Sequence, residues 1–171
     1  MLARALLLLA MLAAAPALLP SAQAQQGLAA PKGPVILEVV GKIAATNAGN
    51  RATFDLAMLE AMETRGIETA TPWTQGRRKF EGVPVKALLA AVGATGAKVR
   101  AVALNDYGVD IPAADLVERG AILAYRMDGK TLSVREKGPL WIIYPFDSVS
   151  GLWTDLYFTR SIWQLRSLRI E

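Results

Sequence analysis

The sequence predicts an α+β fold with mixed or antiparallel layered sheets and short helices. About seven segments have the β-branched and aromatic composition of strands, whereas only two or three short stretches have helical spacing. The two kinds of segment do not alternate as β-α-β repeats, which argues against a doubly wound parallel sheet. With 171 residues, 53% of them apolar and 20% charged, the chain has the size and composition of one globular domain.

Residues 1–24 are predicted to be a secretory signal peptide. Arg4 supplies the positive charge, residues 5–15 form the apolar region, and Ala22-Gln23-Ala24 is a small-x-small cleavage site. The alternative is a membrane anchor, but Pro16 and Pro20 interrupt an apolar run that is short for a bilayer span. Because the segment lacks two consecutive arginines, it favours the general secretory route over twin-arginine export.

The mature chain is predicted to have a short lead-in followed by one domain. Residues 25–34 are rich in small residues, Gln and Pro, which is typical of a flexible lead-in, and residues 35–171 form the domain. In the first half of the domain, Asp55 is a predicted helix N-cap, Pro84 suits a first helical position and Gly93 suits a C-terminal cap. The elements predicted there are strands 35–43 and 67–71 and helices 56–62 and 84–92.

The second half of the domain is predicted to be mostly strands. Asn105-Asp106 is a predicted turn, and Asp128-Gly129 is a strong hairpin signal. The apolar residues of the last strand change parity, so a bulge near Arg166 is expected. The elements predicted in this half are strands 99–104, 107–111, 121–127, 131–134, 140–144 and 161–170, with a helical turn at 112–117.

The composition excludes several kinds of chemistry. The chain contains no cysteine and no histidine. It therefore cannot supply Ser-His-Asp or Cys-His nucleophiles, or Cys/His ligands to zinc, haem or iron–sulfur clusters. Its formal net charge of +4 is modest, and together with the export signal it argues against nucleic-acid binding.

Carboxylates and glycines carry only weak signals. A carboxylate-pair hydrolase would draw on Asp106, Asp110, Asp147 or Asp155, but turns and helix caps explain such residues equally well. The segment 93–96 matches neither the phosphate-loop spacing nor the dinucleotide fingerprint.

One basic run and one tryptophan stand out. Arg77, Arg78 and Lys79 form a surface for an anion or an acidic partner, or else a solvated loop. Trp73 lies in a Thr-Pro-Trp-Thr-Gln-Gly segment predicted to be a loop, where a large ring is costly to expose and often closes a pocket. Trp141 and Trp163 lie in predicted strands, where burial in the core is the alternative to a pocket role.

A flat heteroaromatic ligand needs two things from such a pocket. It needs an aromatic face for stacking, worth about 0.5–1.5 kcal/mol. It also needs a carboxylate that accepts hydrogen bonds from an amidine-like pair of N–H groups. Asp106, at a turn after a strand, is the candidate carboxylate.

Several motifs follow one another in an order that characterises a known family. They are Phe80-Glu81-Gly82-Val83-Pro84 before a helix ending at Val92-Gly93, Ala103-Leu104-Asn105-Asp106-Tyr107 with Ile111-Pro112 and Asp115, Lys137-Gly138-Pro139-Leu140-Trp141-Ile142-Ile143-Tyr144-Pro145, and Arg160-Ser161-Ile162-Trp163-Gln164-Leu165. Over residues 35–170 the chain resembles the oxidoreductase molybdopterin-binding domain family, whose fold is of the sulfite oxidase type.

The chain departs from the family's enzymes at the positions that matter for the metal. In those enzymes a cysteine thiolate binds molybdenum in the region that Thr69 and its neighbours occupy here, and a hydroxyl is a poor substitute for a soft thiolate. Basic residues that help to hold the phosphate of the cofactor are replaced by Trp141 and Trp163. Molybdenum is therefore not expected.

The chain is similar to a small, cysteine-less branch of the family found in bacterial periplasms. The resemblance implies binding of a reduced pterin of the tetrahydropterin type. It also implies regulation of a membrane-bound enzyme that makes and degrades cyclic di-GMP, without catalysis by the chain itself. The residues expected at the pterin are Trp73, Asn105, Asp106, Tyr107, Tyr144 and Arg160, with Arg160 orienting Asp106 or touching the ligand.

Two other functions compete with this expectation. The first is a periplasmic molybdenum cofactor-dependent oxidoreductase of the sulfite oxidase type with an unusual metal environment. The second is an interaction module that has kept the fold and lost the ligand. The second would fill the space beside Trp73 and Tyr107 with protein atoms, whereas ligand binding needs a cleft there.

Overall fold

Two five-stranded sheets form the framework of the domain in a computed structural model that describes residues 27–171. The predicted signal peptide lies outside the described residues. Within this range the strands are β1 (Leu37–Gly41), β2 (Ala52–Phe54), β3 (Arg65–Ala70), β4 (Arg77–Pro84), β5 (Lys98–Ala103), β6 (Gly108–Pro112), β7 (Ile122–Met127), β8 (Lys130–Thr131), β9 (Trp141–Ile143) and β10 (Leu165–Ile170). The helices are α1 (Leu56–Glu60), α2 (Val85–Ala91), α3 (Ala113–Glu118) and α4 (Asp155–Arg160), with a 3-10 turn at Val134–Glu136.

The strand order confirms the predicted α+β class with mixed sheets. The first sheet has the order β2-β1-β10-β5-β6, and β10 runs parallel to β1 but antiparallel to β5. The second sheet has the order β3-β4-β7-β8, and β9 also pairs with β7. The pairing of β10 with β5 shifts register between Leu165 and Ser167, which confirms the bulge expected near Arg166.

Asp55 ties the lead-in to the domain, together with Asn47, whose Nδ2 donates to the carbonyl of Ala29 at 2.7 Å. Asp55 caps α1 as predicted, because its Oδ1 accepts a hydrogen bond from the backbone N–H of Met58 at 2.9 Å. Its Oδ2 accepts from the N–H groups of Lys32 and Gly33, each at 2.7 Å. The bonds from Met58 and Gly33 hold the pKa of Asp55 below its ordinary value. The described part of the lead-in therefore makes specific contacts with the domain.

Strand β4 corrects the interpretation of the basic run as part of a loop. Arg77, Arg78 and Lys79 pair with Ala70, Thr69 and Glu68 of β3 in an antiparallel ladder. Their charges meet carboxylates on neighbouring elements. The ion pairs are Arg77–Glu68 at 3.5 Å, Arg77–Asp147 at 3.7 Å, Arg78–Asp128 at 2.6 Å and Lys79–Glu81 at 3.0 Å. The run is thus a paired strand whose cations have acidic partners within the domain.

The second sheet is buried on both faces. In β7, Leu123 and Tyr125 belong to the large core, whereas Ile122 and Ala124 belong to a smaller cluster on the opposite face. Strand β9 divides in the same way, which explains the near-continuous apolar run of residues 140–144 and confirms its predicted burial. Trp141 is fully buried, and Trp73 and Trp163 pack against the same smaller cluster. Through Trp73 and Trp163, this cluster contacts the site described below.

Among the described helices, none has the length and apolar character needed to cross a membrane.

Replacing Gly82 with Ala should destabilise the domain by about 1–3 kcal/mol, the usual range for overpacking. A Cβ at this position would lie 2.1 Å from the carbonyl oxygen of Leu123 on the adjacent strand. Urea unfolding of the purified variant measures the change. Gly66→Ala on β3 is the matched control, because its Cβ would meet nothing closer than 3.9 Å. Equal stability of the two variants would contradict the close approach of β4 to β7.

Candidate functional site

A cleft of about 390 Å³ opens between the Trp73 segment, the β5–β6 turn, α4 and the residues before β10. Its volume falls within the range of about 300–1,000 Å³ that is usual for small-molecule sites. The lining residues are all uncharged: Trp73, Ala103, Asn105, Tyr107, Phe158, Thr159, Ser161, Ile162 and Trp163. The structure brings three of the predicted site residues, Trp73, Asn105 and Tyr107, together around this cavity.

Aromatic contacts hold Trp73 at the wall of the cleft. Its ring meets Trp141 edge-on at 5.8 Å between centroids and Phe158 at 6.1 Å. Phe158 also lies 5.8 Å from Trp153. Such edge-to-face pairs add about 0.5–1.5 kcal/mol each to the burial of the rings. Trp73 is therefore fixed by its neighbours while one side remains open to the cavity.

The turn that carries Asn105 and Tyr107 directs Asp106 elsewhere. Asn105 Oδ1 accepts a hydrogen bond from the N–H of Tyr107 at 3.2 Å. Asp106 adopts a φ of +66°, and its side chain pairs with the guanidinium of Arg166 at 2.5 Å. Its side chain is 79% exposed and does not line the cleft. The structure therefore does not bring the Asp106 carboxylate together with the other predicted site residues at the cleft.

Tyr144 and Arg160 also lie away from the cleft, in a network around Asp115 of α3. The hydroxyls of Tyr144 and Tyr157 donate to the Asp115 carboxylate at 3.1 and 2.9 Å, and Arg160 pairs with it at 3.1 Å. Burial raises the pKa of Tyr144 well above its usual range, and the nearby charge of Asp115 raises it further. Arg160 therefore orients Asp115, whereas the partner of Asp106 is Arg166.

The sequence prediction missed the wall formed by α4. Phe158 and Thr159 of this helix, with Ser161 just after it, line the cleft. The sequence does carry a local signal for this helix. Thr154 is at the N-cap position, and the charges of Asp155 in the first turn and Arg160 in the last turn are favourable to the helix dipole.

The fold of this chain is also found in a solved structure of a larger protein. The chain has the same overall fold as the crystal structure of the sulfane dehydrogenase SoxCD from Paracoccus pantotrophus, with a TM-score of 0.55 at 18% sequence identity. The match covers 78% of this chain and 37% of that chain, so the chain spans little more than a third of its structural neighbour. At this identity the likeness establishes the fold alone.

The family follows from the sequence itself. The model of the oxidoreductase molybdopterin binding domain matches residues 43–150. The chain therefore belongs to this family, as the order of its motifs predicted. A search of curated proteins finds no match.

The residues at the cleft do not fit a molybdenum cofactor. The chain has no cysteine, so no soft thiolate is available for the metal. Thr69 is buried in β3, and its hydroxyl already donates to the carbonyl of Ala70 at 3.2 Å and accepts from the N–H of Asp147 at 3.1 Å. Two nearby cations contact protein groups and not the cleft. Lys137 Nζ lies 4.5 Å from the centre of the Trp163 ring, and Arg160 pairs with Asp115. The donor set suits an uncharged ring better than a metal with an anionic tail.

Replacing Tyr144 with Phe should destabilise the domain by about 1.5–3 kcal/mol, the usual value of a hydrogen bond to a charged group. The change removes one of the hydrogen-bond donors that stabilise the largely buried carboxylate of Asp115. Chemical denaturation measures the loss. Tyr107→Phe is the control, because that side chain is 53% exposed and should change stability by less than about 0.5 kcal/mol. A Tyr144→Phe variant as stable as Tyr107→Phe would exclude the network as a stabilising element.

Proposed function

We propose that this chain is a periplasmic protein that binds a reduced pterin of the tetrahydropterin type, without molybdenum. We further propose that it reports the ligand to a membrane-bound enzyme that makes and degrades cyclic di-GMP. The observation that carries the proposal is an uncharged, aromatic-walled cleft beside Trp73 in a family member that lacks any thiolate. The family is described as molybdopterin-binding, which supports a pterin as the ligand, and this chain has no cysteine thiolate to offer the metal.

The cleft supports binding of a flat ring by stacking. The half-buried rings of Trp73 and Phe158 form a wall, and the exposed ring of Tyr107 lies at the β5–β6 turn. Stacking on one such ring is worth about 0.5–1.5 kcal/mol beyond the apolar area that it buries. The polar side chains at the cleft are neutral amide and hydroxyl groups, which match the neutral donors and acceptors of a pterin ring.

A sensor needs a structural element whose conformational equilibrium shifts when the ligand binds. Helix α4 is suited to this role, because it contributes Phe158 to the cleft while Arg160 and Tyr157 face the Asp115 network. A ligand that prefers one position of α4 would shift the surface that a partner meets, provided that its affinity differs between the two positions. The earlier candidate for that surface, Arg77 to Lys79, has its cations paired within the domain, so a partner there would have to compete with those ion pairs.

Tetrahydropterin should bind the purified chain saturably, and Trp73→Ala should weaken binding by about tenfold or ~1.4 kcal/mol. The substitution removes the aromatic wall while leaving the cleft open. Isothermal calorimetry measures the dissociation constants of both proteins. Asp106→Asn is the matched control, because its side chain faces Arg166 and Asn tolerates a positive φ. We expect binding by this control within twofold of wild type.

Absence of saturable binding to the wild-type chain would overturn the proposal. Stoichiometric molybdenum in protein isolated from the native host, with turnover of an oxyanion or sulfoxide, would establish the oxidoreductase alternative instead.

The regulatory part is tested in the native host. Deleting the gene should change the cellular level of cyclic di-GMP, and a copy that encodes the Asp106→Asn variant should restore it. A copy that encodes Trp73→Ala should fail to restore it, because that protein binds the pterin weakly. Equal restoration by both copies would show that the effect on cyclic di-GMP does not depend on pterin binding.

A further inference from the structure

One hydroxyl at the cleft is left without a partner. Ser161 is 1% exposed and lines the cavity, yet its Oγ makes no hydrogen bond to any group in residues 27–171. The backbone of the same residue is fully engaged. Its N–H donates to the carbonyl of Tyr157 at 2.9 Å, and its carbonyl accepts from Nε1 of Trp141 at 3.0 Å. The residue is thus held in place with a free polar atom beside the cavity.

Buried polar side-chain atoms in folded proteins nearly always have a partner. A hydroxyl removed from water without one loses its hydration and gains nothing in return. Because Ser161 also lines the cleft, a rotation about its χ1 angle would let Oγ bond to a molecule bound there.

The other polar side chains of the cleft lie in a different setting. Asn105 and Thr159 are exposed, so water satisfies them whether or not a ligand is bound. Tyr107 is 53% exposed and Ser161 only 1%, so we assign Ser161 to the closed end of the cleft and Tyr107 to its mouth. A ligand that leaves a buried group unpaired is rejected much more strongly than one that leaves an exposed group unpaired.

We propose that Ser161 is the specificity-determining contact of the cleft, hydrogen-bonding the pyrimidine edge of a pterin that enters edge-first. The substituent at C6 of the pterin then lies at the mouth, near Tyr107 and Asn105. This inference rests on the proposed function and names the part of the ligand that the cleft recognises. It predicts strict recognition of the pyrimidine edge and tolerance of different C6 substituents.

The test compares Ser161→Ala with Ser150→Ala, an exposed serine that does not line the cleft. Three ligands are titrated by calorimetry: tetrahydropterin, its N3-methyl derivative with a blocked pyrimidine edge, and a derivative with an extended C6 substituent. In wild type and Ser150→Ala we expect the N3-methyl derivative to bind at least tenfold more weakly than the other two. In Ser161→Ala the affinity for tetrahydropterin should fall about tenfold, and the discrimination against the N3-methyl derivative should largely disappear.

Thermal unfolding separates recognition from a structural role. Because Ser161→Ala removes an unpartnered hydroxyl, its melting temperature without ligand should equal or exceed that of wild type. A lower melting temperature, or unchanged discrimination in Ser161→Ala, would overturn the inference. If tetrahydropterin binds wild type and Trp73→Ala weakens it while Ser161→Ala does not, only this inference fails. If wild type binds no pterin, the proposed function fails as well.

Discussion

The shape of the cleft depends on one buried carboxylate. Asp115 of α3 receives hydroxyl donors from Tyr144 and Tyr157 and an ion pair from Arg160, and its side chain is only 13% exposed. A largely buried charge that loses its partners is destabilising, so the network favours the position of α4 in which these contacts are made. Because two of the donors lie on α4, the network fixes that helix and directs Phe158 into the cleft. Residues that do not touch the cavity thus determine its wall.

Charge pairing elsewhere explains why the cleft is neutral. Arg160 pairs with Asp115, Arg166 pairs with Asp106, and Lys137 lies over the face of Trp163. Redirecting Arg160 to a ligand would leave the largely buried Asp115 carboxylate without its charged partner. The Arg166–Asp106 pair is exposed, so breaking it would cost little. This uncharged lining supports the proposal that the cleft of this family member binds an uncharged pterin ring.

Locally determined features could be predicted from the sequence, and those set by distant partners could not. The Asp55 cap, the helix after Pro84 and the bulge near Arg166 depend on neighbouring residues and are found as expected. Strand β4 was missed because its charged residues are neutralised by carboxylates from β3, the β7–β8 turn and the segment after β9. In the site, Trp73 could be identified as a pocket residue because a large apolar ring in a predicted loop is costly to expose to water. The direction of Asp106 depends on a positive φ and on a guanidinium 60 residues away, which no local pattern encodes.

Trp141 shows how packing holds the walls of the cleft in place. Its buried ring contacts Trp73 at 5.8 Å and Phe80 at 5.5 Å, and its Nε1 donates to the carbonyl of Ser161. It therefore joins the Trp73 segment, strand β4 and the end of α4 through packing and one hydrogen bond. These contacts hold the walls in place before any ligand binds. In the proposed complex with a pterin, affinity would come from stacking on the walls, and selection from the hydroxyl of Ser161, which has no partner within residues 27–171.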